Sequence, residues 1–83
     1  MHEYSLAQDL VKRAIVEARQ QTPCQVTTLN INVGPQSLVD KEALALGAQA
    51  AAQDTIAEGC QVYVTEVEEG GIVLESIELQ EAT

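Results

Sequence analysis

The only histidine of the chain is His2, and it follows the α-amine of Met1 directly. An amine, the next backbone amides and one imidazole can close fused chelate rings around a single metal ion. The Met1 amine, the amide nitrogens of His2 and Glu3 and the His2 imidazole supply four nitrogens, a set that suits square-planar Ni(II) or Cu(II). Tetrahedral zinc would be poorly served. The alternative interpretation is a solvated, frayed chain end.

The metal hypothesis assigns specific roles to Met1 and Glu3. Removal of an initiator methionine requires a small second residue, so we expect Met1 to remain and to supply the amine. Glu3 has two candidate roles: its amide nitrogen as a ligand, and its carboxylate as the group that orients the imidazole. The first role is the stronger expectation.

Other reactive side chains are few. Cys24 and Cys60 lie far apart and form no CxxC motif, so we expect two reduced, buried or half-buried thiols, with one disulfide as the alternative. Glu66, Glu68 and Glu69 cluster near a turn, and we expect them to be solvated. The sequence contains no Ser/His/Asp set and no glycine-rich phosphate loop, so we do not expect an enzyme.

Composition and charge limit the classes of function. A chain of 83 residues holds one domain, and with 46% apolar residues but no Phe or Trp its core should be thin. The net charge of -9 arises entirely after residue 41, where no Lys or Arg occurs. This charge argues against nucleic acid and anionic membrane surfaces as partners. No stretch is apolar enough to span a bilayer and no signal peptide begins the chain, so we expect a cytoplasmic protein.

Hydrophobic periodicity predicts the first two elements. Ser5 and Gln8 resemble a capping box in front of a helix over Leu6 to Gln20, which Thr22 and Pro23 should end. Period-two alternation then predicts a strand from Gln25 to Val33. Its buried face is expected to contain Leu29, Ile31 and Val33.

The sequence pattern in the second half of the chain predicts one more helix and two more strands. Asp40 can cap a second helix, which should end at Gly59. Leu44, Ala48 and Ala51 form the apolar stripe of this helix, and Gly47 beside them allows another element to approach closely. Strands over Gln61 to Val67 and Ile72 to Leu79 should form an antiparallel hairpin, with a bulge near Glu75 and Ser76.

The predicted fold class is therefore α/β (α+β). We expect a small two-layer domain in the order helix-strand-helix-strand-strand, in which a three-stranded mixed sheet packs against two helices. If the first two strands are parallel around the second helix, that crossover should be right-handed.

Several segments resemble a known family. The opening Met1-His2-Glu3-Tyr4-Ser5-Leu6 resembles the Met-His-Glu-x-Ser start of the HypA/HybF family. Further similar segments follow in the family's order and cover nearly the whole chain: Val26 to Gly34, Lys41-Glu42-Ala43-Leu44 with Lys in place of Pro, Thr55 to Cys60, and Ser76-Ile77-Glu78-Leu79.

The resemblance implies a function. Family members are nickel metallochaperones for [NiFe] hydrogenase maturation and, in some organisms, for urease. The resemblance assigns Ni(II) binding to Met1, His2 and Glu3. It also implies two partners, a hydrogenase-maturation GTPase of the HypB type and the hydrogenase large-subunit precursor.

The sequence departs from the family in two places. Members carry a zinc module with two CxxC pairs between the second and third strands, whereas here Val67 leads through Glu68-Glu69-Gly70-Gly71 to Ile72. We therefore expect residues 1–83 to be a single nickel-binding base domain without zinc. The region of Leu46, Gly47 and Ala48 is usually aromatic in the family. A second hypothesis is a metal-independent protein-interaction or oligomerisation module, whose strand edges a partner or another copy would cover.

Overall fold

The computed structural model describes residues 2–21 and 23–81. Two helices and three strands follow one another in the predicted order: α1 His2–Arg19, β1 Cys24–Val33, α2 Lys41–Ala51, β2 Gln61–Glu66 and β3 Ile72–Glu81. The strands form one mixed sheet, and both helices pack on one of its faces. The predicted two-layer α/β architecture is confirmed.

Helix α1 begins at His2, earlier than the predicted start at Leu6. The predicted capping box is wrong, because Ser5 lies inside the helix and an N-cap residue needs non-helical backbone angles. Glu3 lies in the first turn, where its negative charge complements the helix dipole. The helix ends at Arg19, close to the predicted end, and Thr22 lies outside the described residues.

The sheet has the strand order β2-β1-β3, which contradicts the predicted hairpin of the last two strands. β2 pairs with β1 in parallel and β3 pairs with β1 in antiparallel orientation, so β1 separates the other two. This order places the most buried strand in the centre, where Leu29 and Ile31 are fully buried. The parallel pairing of the first two strands, which the sequence left as a condition, is present in the structure.

The predicted bulge in the last strand is confirmed at Glu75. The register of β1 with β3 joins Asn30 to Ser76 and Ile31 to Leu74, and it passes over Glu75. A second irregularity lies on β1, where the register passes over Thr27. The bulge at Glu75 explains why the apolar residues of β3 change phase along the strand.

Helix α2 begins as predicted and ends early. The Asp40 carboxylate accepts hydrogen bonds from the amides of Glu42 and Ala43, at 2.9 and 3.2 Å. The helix ends at Ala51, not at Gly59, and residues 52–59 form successive turns. Asp54 has a φ of 65°, which an α-helix cannot accommodate.

The core combines aliphatic residues from β1 with aliphatic and small residues from the two helices. Val26, Leu29, Ile31 and Leu44 are the largest fully buried side chains. The helices approach closely at Gly47, where an added Cβ atom would lie 3.1 Å from the Ala7 Cβ. Buried alanines are frequent in this layer: Ala7, Ala14 and Ala18 on α1, Ala48 on α2, and Ala52 directly after α2.

None of the helices in the described part of the chain is long and apolar enough to cross a membrane.

Candidate metal centre

The three predicted ligand residues fall at the start of helix α1. Met1 lies outside the described residues. The backbone of His2 forms the first residue of the helix. Glu3 follows in the first turn and is half-buried. The order of these residues therefore places the backbone nitrogens of His2 and Glu3 at the amino end of α1.

The amino end of a helix leaves its first amide groups without acceptors inside the helix. Such amides can become metal ligands without breaking helical hydrogen bonds. A five-membered chelate ring through two successive backbone nitrogens requires a ψ near 0°, whereas helical residues have a ψ of about −42°. Metal chelation at this end would therefore rotate the backbone of the first turn and would leave the later turns intact.

The Glu3 carboxylate joins this first turn to the start of the second helix. Its Oε2 atom accepts a hydrogen bond from the Asp40 amide at 3.2 Å. Hydrogen bonds from its own backbone amide and from that of Asp40 lower the pKa of Glu3 from 4.5 to about 2. The Glu3 side chain is therefore a carboxylate at neutral pH, and it fixes the amino ends of α1 and α2 next to each other.

Asp40 is the neighbour that sequence reasoning missed. The sequence predicts it correctly as the cap of α2, and its Oδ1 atom performs that role. Its backbone amide, however, also reaches Glu3, 37 positions earlier in the chain. Nothing in the spacing of the two residues signals this contact, which places the backbone of Asp40 next to the Glu3 side chain.

Other candidate ligands do not converge. Within residues 2–21 and 23–81, no group of three or more His, Cys, Asp or Glu side chains could hold a metal ion. Cys24 and Cys60 are free thiols, as predicted. The Cys24 thiol lies 3.4 Å from the Ala18 carbonyl oxygen, and Cys60 is buried, which raises the pKa of its thiol. Both sulfur atoms therefore belong to the packing of the domain.

The predicted acidic turn is solvated. Glu66, Glu68 and Glu69 are all exposed. The Glu66 carboxylate lies 3.8 Å from the Lys41 ammonium group, and both side chains are largely exposed. A pair of this kind contributes little to stability.

Comparisons with known proteins identify relatives of the chain. The profile of a family described as hydrogenase/urease nickel incorporation, metallochaperone, hypA matches residues 1–72. The hydrogenase maturation factor HypA of Synechococcus elongatus is 39% identical over 67 residues, which cover 81% of this chain and 60% of that protein. HybF of Salmonella typhimurium is 33% identical over 64 residues, covering 77% of this chain and 57% of that protein.

A solved structure has the same fold. The solution structure of the Ni metallochaperone HypA from Helicobacter pylori superposes with a TM-score of 0.81 and covers 96% of this chain and 98% of that chain. The sequence identity in this superposition is 10%, so the likeness concerns the fold alone.

The family match extends over most of the sequence and includes the amino-terminal segment that contains His2 and Glu3. The chain spans about 60% of the length of the curated relatives that it matches. Since the profile matches residues 1–72 and several relatives exceed 30% identity, the chain belongs to the HypA family of hydrogenase/urease nickel-incorporation metallochaperones.

Proposed function

We propose that this chain binds one Ni(II) ion at its amino terminus and delivers it for the maturation of [NiFe] hydrogenase. The main support for the proposal is the position of the proposed ligand residues in the fold. The family profile includes Met1 to Glu3, and the backbone nitrogens of His2 and Glu3 lie in the first turn of α1, where amides lack helical acceptors.

In this proposal the ligands are four nitrogens: the Met1 amine, the amides of His2 and Glu3, and the His2 imidazole. They form fused rings that favour a square-planar ion, which distinguishes nickel from zinc. The amides lose their protons when the ion binds, so binding releases protons and low pH releases the metal. A site at the chain end lets the ligands detach one at a time during transfer.

The Glu3 carboxylate supports this site from outside the nitrogen set. Its hydrogen bond with the Asp40 amide holds the first turn of α1 against the start of α2. Rotation of the Glu3 backbone on chelation would disturb that bond. We therefore expect nickel binding to reorganise the first turn, while the buried part of the helix, from Ala7 onward, stays in place.

We further propose that residues 1–83 act as the nickel-binding base domain without a zinc module. Five residues, 67–71, connect β2 with β3, and the only cysteines are Cys24 and Cys60. The proposed partners follow from the family: a hydrogenase-maturation GTPase of the HypB type and the hydrogenase large-subunit precursor. Delivery of nickel to urease is a further proposal of the same kind.

Calorimetric titration with nickel chloride tests the site. The samples are the protein with its native start, the His2→Ala variant, a protein with a Gly-Ser extension before Met1, and a control with the same extension after Thr83. We expect one strong site in the native protein and in the control, with loss of that site in the other two. Equal affinity in all four proteins would overturn the proposal.

The ligand chemistry can be checked independently. Repeating the titration in buffers of different ionisation enthalpy measures the protons that are released. Two deprotonated amides predict the release of at least two protons per nickel at neutral pH. Zero net release would exclude amide ligands, even if the ion binds near His2.

The free edges of the sheet favour a second candidate function, a metal-independent interaction or oligomerisation module. β2 and β3 are the outer strands, and each presents one edge that no described strand covers. Light scattering with and without nickel tests self-association. A monomer at every concentration would count against the oligomerisation form of this candidate.

A further inference from the structure

The outer edge of β3 is the longest uncovered strand edge in the described part of the chain. β3 has ten residues and pairs with β1 along its inner side. Its outer side therefore presents a row of backbone N–H and C=O groups, which can accept another strand. The edge of β2, the other outer strand, has six residues.

A groove of about 570 Å³ runs between α1 and this strand. Its apolar lining consists of Val16 from α1 and Leu74 and Ile77 from β3. Val16 is 57% exposed, although Leu10 and Val11 of the same helix are buried. An added strand directs every second side chain toward the helices. The groove can receive those side chains if they are aliphatic.

The charges near the edge determine what kind of strand fits. The ionisable side chains of β3 are Glu75, Glu78 and Glu81, all exposed. Glu78 follows Ile77, so strand alternation directs it to the face of the sheet that the helices leave uncovered. Ionisable side chains of both signs line the groove itself: Lys12, Arg13 and Glu17 from α1 and Glu75 from β3. A complementary strand thus carries cations on the uncovered face and neutral aliphatic groups in the groove.

A second copy of this chain does not provide such a strand. Its two free edges belong to β2 and β3, which contain Glu66 and the three glutamates of β3 but no Lys or Arg. Pairing of two copies through these edges would bring glutamates together without a counter-charge. The charge distribution therefore favours a different protein.

We propose that the outer edge of β3 binds an extended segment of a partner protein in which Lys or Arg residues alternate with aliphatic residues. The backbone of the segment pairs with β3, its aliphatic side chains enter the groove beside Val16, and its cations lie next to Glu78. This interaction does not depend on nickel, so it can be tested on metal-free protein, separately from the proposed nickel site.

The first experiment uses model peptides and nitrogen-15 amide spectra of the metal-free protein. A capped peptide of alternating Lys and Val is compared with one in which Glu replaces Lys, and with a Lys/Val peptide of scrambled order. We expect saturable shifts in β3 amides with the first peptide alone, and weaker binding at high salt. Equal binding of the scrambled peptide would overturn the proposal.

The second experiment uses matched pairs of variants. Glu75→Lys with Glu78→Lys should weaken binding of the Lys/Val peptide at least about tenfold. The control, Glu68→Lys with Glu69→Lys, changes the net charge equally in the connection before β3 and should have a small effect. Similar losses of peptide affinity in both double variants would show that net charge alone attracts the peptide. That result would overturn the assignment of the binding site to the β3 edge.

The groove is tested in the same way. Val16→Glu should reduce peptide affinity, whereas Leu46→Glu on α2, a residue that is 66% exposed and outside the groove, should not. Thermal unfolding of each variant verifies the fold before titration. Absence of binding by the native protein would show that the glutamates and the bulge only protect the edge from self-pairing.

Discussion

Gly34 lies directly under the backbone of Gly70, at the point where the chain crosses the end of the central strand. A Cβ atom on Gly34 would overlap the Gly70 carbonyl oxygen and would lie 2.8 Å from that of Glu69. The Gly34 amide donates to the Gly71 carbonyl at 2.8 Å, and the Val67 amide donates to that of Val33 at 2.9 Å. The short path from β2 to β3 therefore requires glycine at position 34.

The first prediction concerns this crossing. Gly34→Ala should lower the free energy of unfolding by about 1–3 kcal/mol, because the added methyl group meets backbone atoms that cannot turn away. Urea unfolding followed by circular dichroism measures the change. Gly71→Ala is the control, since its added Cβ meets no atom within 4 Å. An equal loss in both variants would refute the steric explanation.

The second prediction compares two leucines of helix α2. Leu44 is fully buried, whereas Leu46 is 66% exposed. Leu44→Ala should cost about 2–5 kcal/mol of unfolding free energy, because it leaves a cavity in a thin core. Leu46→Ala should change the unfolding free energy by no more than about 0.5 kcal/mol. Urea titration of both variants distinguishes core packing from helix propensity, which is the same in the two cases.

Local sequence patterns predicted the helices and strands well, because residues close in sequence determine these elements. Alternation at Leu29, Ile31 and Val33 identifies a strand with one buried face, and the Asp40 side chain caps the helix that begins one residue later. The phase change in β3 predicted the bulge at Glu75. Each of these signals lies within a few residues of the feature that it predicts.

Strand pairing was not predictable from the same patterns. Period-two alternation states which residues share a face, but it does not state which strands are neighbours. The Glu-Glu-Gly-Gly segment suits a hairpin turn, yet here it crosses over Gly34 because β1 takes the central place. Likewise, the proposed ligand residues Met1 to Glu3 are contiguous in sequence, whereas the contact of Glu3 with Asp40 depends on the complete fold.

The third prediction concerns pH. The folded pKa of Glu3 is about 2, below its ordinary value of 4.5, so its hydrogen bonds stabilise the fold above pH 4.5. This stabilisation declines as the pH falls from 4.5 toward 2. For metal-free protein, the difference in Tm between the native chain and Glu3→Gln should shrink over that interval. A difference in Tm that stays constant from pH 6 down to pH 2 would contradict the lowered pKa of Glu3.

The fourth prediction concerns the two thiols. Cys60 is 4% exposed and burial raises the pKa of its thiol, whereas Cys24 is half-buried at the start of β1. Because the thiolate is the reactive form, Cys60 should react with Ellman's reagent much more slowly in the folded protein. The variants Cys24→Ala and Cys60→Ala isolate each thiol. Urea should accelerate the reaction of Cys60 to the rate of an unfolded chain. Reaction of Cys60 at that rate without urea would show that the segment between Ala57 and β2 opens readily and does not pack as described.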